Sequence, residues 1–64
     1  MKPEEIKVGR TYEALHRLAP KGIIEYTKRK VVGDSKNYFI FSQNSHLAVM
    51  RKKCFAAWAE REVG

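Results

Sequence analysis

The chain has 64 residues, of which 13 are Lys or Arg and seven are Asp or Glu, so its net charge is +6. A chain this short buries only about 60% of its unfolded surface, which excludes a second domain and a deep active-site cleft. Its single cysteine, Cys54, excludes an intramolecular disulfide and fits the reducing cytoplasm. The charge favours a polyanionic partner, although small domains also carry such charge for solubility alone.

Residues able to support enzyme chemistry are few. His16, His46 and Cys54 lie far apart without the spacing of metal ligands, and no nucleophile is accompanied by a base. The glycines are isolated, so no phosphate-binding loop is present. We therefore expect a non-enzymatic protein without a cofactor or metal. No secretory signal and no run of about 18 apolar residues occur, so we expect no membrane association and a cytoplasmic location.

The pattern of the first segment, 10–19, is compatible with either a strand or a helix. Alternation places Tyr12 and Ala14 on one face of a strand, whereas a helical period places Tyr12 and Leu15 on one face of a helix that Pro20 would end. The pattern alone leaves both open.

Turn-forming residues at 19–22, 33–37 and 43–45 then separate three short segments rich in β-branched or aromatic residues. Such spacing predicts an antiparallel meander or a small barrel. The segments are IIEYTKRKVV (23–32), NYFIFS (37–42) and HLAVMR (46–51).

The last segment predicts a helix over about 52–62. Phe55, Trp58 and Ala59 fall at i, i+3 and i+4 and share one face, and the alanines favour a helix. We expect Phe55 and Trp58 to be buried against three or four antiparallel strands, and Cys54 to be a buried, unreactive thiol. The predicted fold class is mainly β with one C-terminal helix, either a small bent antiparallel sheet or a barrel.

Two stretches resemble short phage and prophage proteins that have no assigned activity. IKVGRTYE (6–13) is similar to their VGxxY opening, and CFAAWAEREV (54–63) to their closing F-x-x-W-A helix. The resemblance implies a strongly bent, Src-homology-3-like β-barrel and an origin in a mobile element. It also favours a strand over 10–18, and it implies no activity.

A first candidate site lies in the second strand. Lys28, Arg29 and Lys30 could form a strip that contacts phosphates, or lysines could instead protect an exposed sheet edge. In the third strand we expect Phe39 and Phe41 to face the core. The tyrosines Tyr26 and Tyr38 would then lie outside, close together across the hairpin, where they could stack on bases or simply pack on each other.

A second candidate site is the run Arg51, Lys52 and Lys53 at the start of the helix. Cations are unfavourable at that end of a helix dipole, and no Ser, Asp or Asn caps its first N–H groups. The run could therefore hold an anion, or it could end the last strand and face water. A bent barrel could bring these cations close to Lys28, Arg29 and Lys30.

The first functional interpretation is a small basic module that binds nucleic acid through backbone charge, largely independently of base sequence. The alternative is a protein-interaction module, such as a phage accessory or anti-defence protein that docks on an acidic host partner. A homo-oligomer is a third possibility, because a small core often gains from association.

Overall fold

A single antiparallel sheet with a helix packed on one of its faces forms the protein. The computed structural model describes residues 1–15, 22 and 24–63. After a 3₁₀ turn at Pro3–Glu5, the elements are β1 (Thr11–Leu15), β2 (Tyr26–Asp34), β3 (Tyr38–Gln43), β4 (His46–Arg51), α1 (Lys52–Trp58) and β5 (Arg61–Val63). The strand order is β4-β3-β2-β1-β5, and the sheet is open. The mainly-β class with one helix is confirmed, but the described residues form five strands rather than three or four.

Strand β1 resolves the ambiguous first segment in favour of a strand. Tyr12 and Ala14 are buried on one face, as the strand pattern predicts, and Glu13 on the other face is also buried, with its carboxylate paired to Arg61 of β5. The hydroxyl of Tyr12 accepts a hydrogen bond from Lys7 N at 2.8 Å and donates to Glu5 O, so the buried phenol is satisfied. Residues 19–21 of the predicted turn at 19–22 lie outside the described part of the chain, as does His16.

Strand β2 alternates between the inner face of the sheet, which α1 covers, and the outer face on the opposite side. Val31 is fully buried on the inner face, whereas Val32 is exposed. The register shifts between Val31, which pairs with Phe41, and Gly33, which pairs with Ile40. Val32 is thus the extra residue of a β-bulge, and such bulges bend a strand.

A two-residue turn joins β3 to β4. Asn44 and Ser45 have φ angles of 51° and 66°. Positive φ at both central positions is the type I′ geometry, whose twist matches that of a β-hairpin. Asn tolerates this conformation well, but Ser does so less readily.

We therefore expect Ser45→Gly to raise the free energy of unfolding by about 0.5–1 kcal/mol. Relief of left-handed strain, about 1–2 kcal/mol, exceeds the entropy lost by glycine, about 0.5–1 kcal/mol. A urea denaturation series measures the change. The matched control is Ser42→Gly in β3, where glycine should destabilise, and equal effects of both changes would contradict the turn assignment.

The core centres on Phe55. Its ring lies 5.3–6.0 Å from the ring centroids of Tyr12, Phe39, Phe41 and Trp58. The predicted burial of Phe39, Phe41 and Phe55 is confirmed, while Trp58 is only half-buried. Ile6, Val31, Ala56 and Ala59 complete the cluster.

The helix is shorter than predicted. It ends at Trp58, and Ala59 is extended with ψ 122°. The following residues pair with β1, where Glu60 N donates to Glu13 O and Arg61 pairs with Glu13. Pairing with β5 satisfies backbone N–H and C=O groups at the edge of β1, which a longer helix would leave without partners. Residues 61–63 therefore form a strand although their sequence pattern is helical. The predicted burial of Cys54 is also wrong, since this residue is exposed.

Candidate functional site

A basic cleft lies where β3 begins, β4 ends and α1 starts. It has a volume of about 520 Å³. The residues that line this basic cleft are Pro3, Lys36, Asn37, Tyr38, Arg51, Lys52 and Lys53. It therefore contains the complete run of cations at 51–53, together with one further lysine.

Backbone pairing positions the residues of the basic cleft. Tyr38 pairs with Arg51 across β3 and β4, so the two side chains project from the same face. The ladder continues into the helix, because Lys52 N donates to Asn37 O at 3.0 Å. The turn before β3 is held by a bond from Ser35 N to Tyr38 O at 2.9 Å. The cleft is thus built on two paired strands.

Lys52 differs from the other cations of the cleft. Its Nζ lies 2.5 Å from Asp34 Oδ1 and 5.2 Å from the centroid of the Phe39 ring, and its side chain is only 28% exposed. A carboxylate already neutralises this charge, so Lys52 serves the fold. Lys36, Arg51 and Lys53 are exposed, and none of them forms an ion pair with another described residue.

The two strands and the helix that build most of the cleft carry no carboxylate of their own. From Ser35 to Ala59 the sequence contains no Asp or Glu but four Lys or Arg residues. This stretch comprises β3, β4 and α1. An anion that approaches the cleft from β3, β4 and α1 therefore meets exposed cations. Asp34 is already paired with Lys52, and Glu4 and Glu5 follow Pro3 in the chain.

Tyr38 supplies an aromatic surface at the same place. It is 43% exposed and lies on the outer face beside Arg51, as predicted for its position outside the core. The predicted proximity of Tyr26 is wrong. Tyr26 pairs with Leu15 at the start of β2. Tyr38 immediately precedes Phe39, which pairs with Asp34 at the other end of β2.

Tyr26 has a different partner. The guanidinium of Arg61 lies 4.5 Å from the centroid of its ring and also hydrogen-bonds to the carboxylate of Glu13. That hydrogen bond, with the negative charge of Glu13, raises the pKa of Arg61. One face of the Tyr26 ring is thus covered, and the neighbouring cation is already paired.

The strip predicted in β2 is divided between the two faces of the sheet. Lys28 and Lys30 are exposed on the outer face, opposite Glu13 and Thr11 of β1. Arg29 points to the inner face, because successive residues of a strand alternate.

Arg29 belongs to the packing between the sheet and the helix. Its Nε donates to Gln43 Oε1 at 2.8 Å, and its guanidinium lies 4.1 Å from the ring centroid of Trp58 and 4.9 Å from that of Phe41. Burial lowers the pKa of this guanidinium. These contacts give Arg29 a structural role that the sequence pattern of four polar residues in a row did not indicate.

Lys30 and Arg51 share the outer face without being neighbours. Lys30 pairs with Ser42, which in turn pairs with Leu47. Arg51 lies four residues further along β4, which corresponds to about 13 Å of strand. The predicted approach of the two basic groups is therefore not observed: Lys28 and Lys30 lie apart from Arg51 on the outer face, and the cleft holds more of the exposed cations.

The helix N-terminus contributes less than predicted. Arg51 occupies the capping position in an extended conformation without a side-chain cap, but the helix has only seven residues. The first N–H group, that of Lys52, is satisfied by Asn37 O. Lys36 and Asn37 were not expected in the site, because a turn residue becomes a cleft residue only through the pairing of β3 with β4.

Comparison of the chain with protein-family models, curated proteins and solved structures finds no match. Within the described ranges, no helix has the length and apolar character needed to cross a membrane. The function must therefore be inferred from the residues of the cleft themselves.

Proposed function

We propose that the protein binds single-stranded nucleic acid at the basic cleft, largely independently of base sequence. Lys36, Arg51 and Lys53 contact phosphates, and a base stacks on Tyr38. The observation that supports this most is the pairing of an exposed aromatic ring with exposed cations on strands and a helix that carry no carboxylate. In this proposal the protein is a non-enzymatic binding module that originates from a mobile element and acts in the cytoplasm.

The chemistry of the cleft favours a single strand over a duplex. Cations on phosphates provide affinity but carry no sequence information. Stacking of a base on an aromatic ring contributes about 1–3 kcal/mol and tolerates every base, but it requires a base that is free of its complementary strand. A strand that leaves the cleft along the outer face comes within reach of Lys30 and Lys28.

The strand order is compatible with the bent-barrel likeness expected from the sequence. The last strand, β5, returns beside β1, and β2 carries a bulge that curves the sheet. This bend supports the proposed likeness to a bent barrel, while the described strands themselves form an open sheet.

A salt titration of the wild-type protein tests the proposal. The affinity for a fluorescein-labelled single-stranded oligonucleotide and for a duplex of the same sequence is measured by fluorescence anisotropy between about 50 and 200 mM salt. We expect tighter binding to the single strand, with a log–log slope of about −0.7 for each phosphate contacted. No binding at the lowest salt concentration would contradict the proposal.

Tyr38→Leu should weaken binding of the single strand about 5- to 150-fold, since it removes one stacking platform. The salt slope should remain unchanged, because no cation is lost. The control is Tyr26→Leu, which removes a ring that Arg61 already covers and should have a smaller effect. Equal losses for the two variants, measured by the same anisotropy assay, would refute the assignment of Tyr38.

A further inference from the structure

The free edge of the sheet at β4 carries exposed aliphatic side chains. Leu47 is 72% exposed and Val49 is 63% exposed, and both lie on the outer face with Ile40 of β3 beside them. Exposed apolar residues that adjoin one another on a sheet are a sign of an interaction surface when they form a contiguous patch.

The backbone of β4 is also available at this edge. Lys52 N donates to Asn37 O, and hydrogen-bonded pairs alternate along an antiparallel ladder. His46, Ala48 and Met50 therefore bond to β3, while Leu47 and Val49 direct their N–H and C=O groups away from it. Among the described residues, no strand lies on that side of β4.

The two edges of the sheet are protected to different degrees. At the opposite edge, β5 has only three residues and includes the charged Arg61 and Glu62. Such short, charged edges resist the addition of another strand. From His46 to Met50, β4 contains no lysine, proline or bulge, so it has none of these protections.

Charge indicates which occupant the β4 edge favours. The chain has a net charge of +6, and β3, β4 and α1 carry no carboxylate. A second copy of the chain would bring two such regions together and would be repelled. An acidic partner is attracted, and it needs aliphatic side chains at alternate positions to cover Leu47 and Val49.

We propose that β4 binds an extended peptide segment of alternating acidic and aliphatic residues, which adds to the sheet as a sixth strand. Main-chain hydrogen bonds to Leu47 and Val49 supply the affinity, and the aliphatic contacts and opposite charge supply the selectivity. This binding site is distinct from the basic cleft and does not depend on nucleic-acid binding.

An eight-residue, fluorescein-labelled peptide that alternates glutamate and valine is a suitable probe. Its binding is followed by anisotropy, and amide hydrogen exchange reports the contacts. We expect the peptide to slow exchange at the amides of Leu47 and Val49. A peptide that alternates lysine and valine should bind about tenfold more weakly or not at all.

Val49→Pro removes one outward-facing N–H group and should weaken peptide binding about tenfold or more. Val49→Thr keeps that N–H group and is the matched control for it. Leu47→Lys is a second variant that blocks strand addition without altering the backbone, in case proline disturbs the fold. Val49→Pro should not change oligonucleotide affinity more than about twofold, whereas Leu47→Lys adds a cation in the same row of the outer face as Lys30 and should raise it, so the two activities can fail separately.

The proposal is overturned if the glutamate–valine peptide does not bind, or if the folded variants bind it as well as the wild type does. Protection of Leu47 and Val49 that rises with protein concentration in the absence of peptide would also overturn it. That result would assign the edge to a second copy of the chain.

Discussion

Phe55→Ala should lower the free energy of unfolding by about 3–5 kcal/mol. The side chain is completely buried, and four aromatic rings surround it, from β1, β3 and α1. A chain of this length has a stability of roughly 3–10 kcal/mol in total, so this loss is a large fraction of it. Circular dichroism during urea denaturation measures the loss.

Two further variants make this prediction specific. Phe55→Leu should cost about 1–2 kcal/mol and remain folded, so it gives a measurable value even if the alanine variant is unfolded. Cys54→Ala lies on the same helix, but its side chain is exposed, and it should change the stability by about 0.5 kcal/mol or less. A Phe55→Ala variant that unfolds at the wild-type urea concentration would contradict the described core.

The double variant Arg51→Gln/Lys53→Gln should bind single-stranded nucleic acid about 10²-fold more weakly at 50 mM salt. Two phosphate contacts are lost, each of which contributes about 0.7 to the log–log salt slope. The slope should therefore flatten by about 1.4. Lys52 is left in place because its charge is paired with Asp34. The fold should be intact or slightly stabilised, since cations leave the start of a helix.

A control with the same net charge separates the cleft from a general charge effect. Lys7→Gln/Arg10→Gln removes two exposed cations before β1, of which Arg10 forms only a surface ion pair with Glu62 at 3.7 Å. This control should lose much less affinity. Equal losses of affinity in both double variants would indicate diffuse attraction by the net charge and would contradict binding at the cleft.

Local patterns predicted most of the fold. Alternation identified Phe39 and Phe41 as core residues and placed β3 and β4 nearly at their observed bounds. The i, i+3 spacing identified Phe55 as the buried face of α1. These elements are determined by periodic burial, which can be read from neighbouring residues.

The errors arose where distant pairing decided the outcome. The end of α1 at Trp58 depends on the edge of β1 that Arg61–Val63 completes, and helical propensity does not report it. Arg29 was grouped with Lys28 and Lys30 because they are consecutive. The packing of its guanidinium on Trp58 depends on a residue 29 positions later in the chain.

The candidate site was predicted in part for the same reason. The cations at 51–53 and the exposed Tyr38 were identified from the sequence, and the structure brings them together in one cleft. The addition of Lys36, the pairing of Lys52 with Asp34 and the distance between the two tyrosines all follow from the register of β2, β3 and β4. That register depends on a bulge and a two-residue turn, whose exact positions a single sequence does not reveal.

An NMR titration of the ¹⁵N-labelled protein with a short single-stranded oligonucleotide tests the central claim most directly. We predict that the largest chemical-shift changes occur at the backbone amides of Lys36–Tyr38 and Arg51–Lys53, with smaller changes at Lys28 and Lys30. Shift changes confined to β5 or to the turn before β1, or no changes at low salt, would contradict binding at the basic cleft.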